Sequence, residues 1–131
     1  MKKKVTIRDE TVSGTTLREW MLDLLTERVT VRELIRSRVY QEVEDFNRSG
    51  DDVFHGLVQP SDTEAALNGY RLRRPRRIEW QPQFEKAAEA FAAGRVLVLA
   101  GDRQAESLDE EIEIGPDTVV SFLRLVPLVG G

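Results

Sequence analysis

Residues 118 to 126 constrain this chain more than any other segment. Val119, Val120, Phe122, Leu123 and Leu125 place apolar groups on both faces of one extended stretch. A strand carries that pattern when it is buried on both faces, in the middle of a sheet. Earlier segments must therefore flank it. Val96 to Ala100 is a second continuous apolar run of strand length, and it reads as another buried strand. Pro127 has no N–H to give to a ladder, so pairing is expected to fail just beyond Val126.

The start of the chain supplies two more strands. Val5 and Ile7 alternate with polar neighbours over residues 4 to 12. Trp20, Leu22 and Leu24 alternate with Glu19 and Asp23 over residues 16 to 25. Ser13-Gly14-Thr15 between them is a tight turn signal, and the pair reads as an antiparallel hairpin. Thr30-Val31-Arg32-Glu33 then has the capping-box spacing. Val31, Leu34, Ile35, Val39, Val43 and Phe46 follow at intervals of three and four, one stripe of a helix that Asn47-Arg48-Ser49-Gly50 ends. Phe122, Leu125, Trp20, Ile7, Leu34, Ile35 and Val39 are the expected shared core.

Residues 50 to 82 read as an insertion with its own hairpin. Gln59-Pro60-Ser61-Asp62 and Asn68-Gly69 punctuate it, and Ser61 to Leu67 has the signals of a short capped helix. Arg71, Arg73, Arg74, Arg76 and Arg77 crowd seven positions there. Pro82 suits the first position of a second helix, with Phe84, Ala87, Ala88 and Phe91 on one side and Gly94 just past its end. Glu111, Ile112, Glu113 and Ile114 alternate as a half-exposed strand does.

The element order, with the insertion set aside, is β-β-α-β-β-β, an α+β arrangement of one mixed sheet with its helices on one face. That order, the run Val96 to Ala100, the acidic strand at 108 to 114 and the ending Val126-Pro127-Leu128-Val129-Gly130-Gly131 resemble the ubiquitin-like β-grasp superfamily. The nearest likeness is to bacterial sulfur carriers of thiamine and molybdopterin synthesis and to ubiquitin-like modifiers. The resemblance spans residues 95 to 131 and, less closely, 4 to 47; it does not reach 50 to 82. It implies a single domain over residues 1 to 131 with a flexible, exposed tail at 127 to 131. It also implies activation of the Gly131 carboxylate by an ATP-dependent, E1-like adenylating enzyme. Gly130 would give backbone clearance in a narrow channel, and Pro127, Leu128 and Val129 would contact the partner. A conjugating enzyme, a protease and target proteins are further partners of such a modifier. The chain itself would be no enzyme and would need no cofactor.

The residue inventory narrows the alternatives. The absence of cysteine removes disulfides, thiol catalysis and thiolate metal sites. His55 stands alone, without metal-ligand spacing, so no metal site is expected. Glu106, Asp109, Glu110, Glu111 and Glu113 read as a solvated face rather than a paired-carboxylate site. No stretch has the roughly 20 apolar residues that span a bilayer, and Met1 to Asp9 lacks a signal-peptide core, so a cytoplasmic protein without membrane contact is expected. The net charge of −4 argues against nucleic acid as the main partner. Arg71, Arg73 and Arg74 are read instead as contacts for an acidic protein surface. A noncovalent interaction module, its tail never activated, stays open beside the carrier and modifier readings. Lysine occurs only at Lys2, Lys3, Lys4 and Lys86, which leaves few sites for self-modification.

Overall fold

A computed structural model of the chain describes residues 3–67 and 69–125. The architecture is α+β, with two helices and a five-stranded mixed sheet. The first hairpin joins β1 (Lys3–Glu10) to β2 (Thr16–Leu24), and Gly14 turns the chain at φ 91°. The strand β3 (Arg28–Thr30) leads into α1 (Val31–Ser49). Both halves of the expected capping box form. The Glu33 N–H donates to Thr30 Oγ1 at 3.1 Å, and the Glu33 carboxylate accepts from the Thr30 N–H. Gly50 closes the helix in the left-handed region at φ 71°.

Between the helices lies a three-stranded sheet of β4 (Val53–Phe54), β5 (Thr63–Ala66) and β6 (Gly69–Leu72), in the order β4-β6-β5. The short helix expected over Ser61 to Leu67 is absent; a strand stands in its place. Asp62 takes φ 55°, which no helical first turn accepts, and Thr63 Oγ1 donates to the Pro60 carbonyl at 2.8 Å. The Ala66↔Gly69 pairing closes a hairpin there with a two-residue connection, and Gly69 already belongs to β6. Gly69 is also required by contact: a Cβ would lie 2.8 Å from Val53 Cγ1 and 2.9 Å from the Phe54 carbonyl.

The second helix, α2, runs from Trp80 to Ala92. Pro82 is its third residue rather than its first, a position equally free of lost hydrogen bonds because first-turn N–H groups have no intrahelical partner. Gly94 at φ 76° ends it, and Arg95 N donates back to the Ala90 carbonyl. There follow β7 (Val96–Ala100), β8 (Arg103–Gln104), β9 (Glu111–Glu113) and β10 (Val119–Arg124).

The main sheet has the order β2-β1-β10-β7-β8. As its apolar pattern requires, β10 is central, parallel to β1 and antiparallel to β7. The expectation of one single sheet is corrected, since β9 pairs only with β3 and forms a separate two-stranded ribbon. Its Ile112 and Ile114 are buried while Glu111 and Glu113 face outward, as alternation demands.

One core joins these parts. Val5, Ile7, Leu22, Val98, Val120 and Phe122 from the main sheet meet Leu34, Ile35, Val39 and Val43 of α1 and Ala87 and Phe91 of α2. Phe54, Leu57, Val58 and Leu72 bring the insertion into the same cluster. Each such side chain is worth roughly 1.5–3 kcal/mol on burial. Two expected core members differ. Trp20 is half-buried at the margin, and Leu125, at 40 % exposure, lies outside. Leu125 shares parity with Leu123 and Ser121, so it points to the sheet face away from the helices.

Candidate functional site

The tail residues Pro127, Leu128, Val129, Gly130 and Gly131, on which the functional expectation falls, lie outside the described residues. The described chain ends at Leu125, whose N–H donates to the Arg95 carbonyl at 2.9 Å, beside the start of β7.

At that end the sheet face opposite the helices is apolar. Strand periodicity puts Leu97 and Leu99 of β7 beside Val119, Ser121 and Leu123 of β10, in the register Leu123↔Leu97 and Ser121↔Leu99. The four apolar side chains are half-buried, and Leu125 continues the strip. Further across, this face becomes charged: Arg8 pairs with Glu19 at 3.3 Å and with Glu10 at 3.8 Å. The face thus has an apolar half around β7 and β10 and a polar half on β1 and β2.

Beneath the opposite face lies a buried charged cluster that residue patterns did not reveal. Arg38 has no exposed surface, and Asp9 and Glu42 are almost as deeply buried. The two Arg38 Nη groups donate to the two Asp9 carboxylate oxygens, Nη2 at 2.7 Å, while Nε donates to Glu42 Oε1 at 3.0 Å. The guanidinium carbon sits 4.5 Å from the Phe122 ring centre and 5.7 Å from that of Trp20. Arg18 completes the cluster by donating to Glu42 at 3.5 Å and to the His55 carbonyl at 2.7 Å. Burial alone would lower the pKa of Arg38, but Glu42 and Asp9 outweigh it and hold the group above its ordinary value. Burial pushes the Glu42 carboxyl up, and Arg38, already shared with Asp9, offsets this only in part. The one sequence signal for the cluster was Asp9 at an inward strand position after Val5 and Ile7.

The arginines expected to meet a partner are all exposed. Arg73 and Arg74 share Asp62, at 3.8 and 3.3 Å, and Arg76 donates to the Ser61 carbonyl. Arg71 lies on β6 opposite Val53 and Glu64. The structure therefore brings Arg73, Arg74 and Arg76 together around the Ser61-Asp62 turn and leaves Arg71 on the small sheet. Next to Arg71, the Tyr70 hydroxyl accepts from Arg124 at 3.3 Å, which ties the small sheet to the end of the last strand.

Among the described residues no group of three or more His, Asp or Glu could hold a metal ion. On the acidic ribbon, Glu111 and Glu113 pair with Arg28, at 3.5 and 2.7 Å, and Glu110 with Arg103 at 3.2 Å. No described helix is long and apolar enough to cross a membrane. No family model, no curated protein and no solved structure matches this chain.

Proposed function

We propose that the chain is a ubiquitin-like β-grasp protein that works through the carboxylate of Gly131, as a protein modifier or a sulfur carrier. The observation that carries this reading is the strand order β2-β1-β10-β7-β8 with β1 and β10 parallel at the centre. In that order an N-terminal hairpin and a crossing helix precede the rest. The last strand is then threaded between the first strand and the later pair, and the chain runs on from it into Pro127-Leu128-Val129-Gly130-Gly131. In the proposed reaction an adenylating partner binds ATP. The Gly131 carboxylate attacks the α-phosphorus, forming an acyl adenylate and releasing pyrophosphate. A sulfur or amine nucleophile then takes the acyl group and AMP leaves. The chain is the substrate of this chemistry rather than its catalyst. Glycine at both final positions leaves the carbonyl unobstructed.

The noncovalent alternative draws on a different observation, the half-buried strip of Leu97, Leu99, Val119, Leu123 and Leu125 on the uncovered sheet face. Such a strip serves a binding module equally well. One experiment separates the two. The full chain and a variant lacking Gly130 and Gly131 are each incubated with ATP and an adenylating enzyme encoded beside it, and intact mass is measured. The expected result is an adenylate, thioester or thiocarboxylate on the full chain only, with unchanged melting temperature in the variant. Normal cellular function of the truncated chain would reject activation and leave the binding module.

A further inference from the structure

A second surface lies on the insertion. Between the C-terminal turn of α1 and the segment after β6 runs a groove of about 410 Å³. Phe46, Leu72 and Pro75 line it as an apolar floor. Arg73, Arg76 and Arg77 stand along one wall. All three guanidinium groups are on exposed residues, and Arg77 has no counter-ion among the described residues. Asp51 and Asp52 also line it. Asp51 Oδ1 accepts the Asp52 and Val53 N–H groups, at 2.8 and 3.3 Å.

The arginine wall is far richer in charge than its own neighbours require. Among the described residues Asp62 is the one carboxylate that pairs with these arginines, and it is divided between Arg73 and Arg74. Five arginines in seven positions, on a chain whose net charge is −4, concentrate positive charge at one place. Guanidinium forks bind carboxylates in bidentate fashion. An apolar floor below them offers nothing to a bare anion but gains from a buried hydrocarbon side chain. A polyanionic strand longer than the groove would run on over the acidic remainder of the chain, which a short acidic segment does not reach.

We propose that this groove receives a short acidic segment of a partner protein, with one apolar side chain over Phe46, Leu72 and Pro75 and its carboxylates on Arg73, Arg76 and Arg77. The proposal does not rest on the tail being activated. It therefore assigns a partner-recognition role to the part of the chain that the β-β-α-β-β-β order leaves over.

The test titrates the full, isotope-labelled chain without ATP and follows its amide resonances. Three probes are used: a glutamate-rich peptide with one central leucine, the same peptide with serine there, and a single-stranded oligodeoxynucleotide of equal charge. The leucine peptide is expected to shift residues 46–52 and 71–77. It should bind about tenfold more tightly than the serine peptide, as burial of one such side chain implies. Arg77→Glu, at an exposed position with no ion pair among the described residues, should weaken it about tenfold with unchanged melting temperature. Tighter binding of the oligonucleotide would replace the proposal with a nucleic-acid surface. Equal binding of the two peptides, indifference to Arg77→Glu, or no binding by any probe would overturn it. None of those results bears on activation of Gly131, which is read by mass.

Discussion

Arg38 lies between two carboxylates and two aromatic rings at zero exposure, and its geometry decides how the centre of the protein responds to pH. Removing Asp9, the bidentate partner, would leave the buried guanidinium short of compensation, which costs far more than an exposed pair contributes. Glu42 is the informative member. Its carboxyl is raised by burial, so the folded chain holds that proton to higher pH than the unfolded chain does. The contribution is therefore fully present below the ordinary carboxylate range and is lost as pH rises through the raised value. Glu42→Gln keeps the shape and an oxygen for Arg38 while removing the ionisation. Denaturant midpoints should coincide for parent and variant near about pH 4, below the ordinary glutamate value. At neutral pH the variant should be at least as stable as the parent. A variant clearly weaker at neutral pH would mean that attraction to Arg38 exceeds the cost of burial.

Elements that carry their own stop and start signals form where those signals stand. The helix α1 begins at the capping box and ends at Gly50, because Thr30, Glu33 and the glycine satisfy terminal backbone groups locally. Thr30→Ala should cost about 0.5–2 kcal/mol in denaturant unfolding, the usual range for a lost N-cap. No change in the midpoint would show that the backbone bonds from Val31 and Arg32 to the Glu110 and Leu108 carbonyls suffice to hold the helix start. The segment at Ser61 to Leu67 followed the opposite rule. Its cap-like residues and its Asn-Gly pair favoured different structures, and pairing with β6 chose the strand. Short segments with competing signals are settled by whichever neighbour can complete their hydrogen bonds.

At the scale of the whole molecule, Phe122 stands where the central strand meets the first helix. It has no exposed surface, sits on the central strand and lies against Arg38 of α1. Phe122→Ala should lower stability by about 3–5 kcal/mol in equilibrium unfolding, since it opens a cavity and bares the buried guanidinium. An unchanged midpoint would mean that the core is not organised around β10. Both helices, the main sheet and the insertion share that one core, so the loss should appear as a single cooperative shift rather than a partial one.

Local chemistry alone determined a good deal of this protein. The doubly apolar run at 118 to 126 required a central strand, the capping box placed the first helix, and alternation oriented the acidic ribbon. Each of these is a property of residues within a few positions of one another. The tertiary structure decided what depends on distant partners. It paired β9 with β3 rather than with the main sheet, turned Leu125 outward, and drew Asp9, Arg38 and Glu42 into one buried cluster. It also folded the arginine segment over Phe46 to make a groove. Those outcomes turn on which backbone edge or counter-charge lies within reach after the chain has closed on itself, and separation along the sequence carries no record of that.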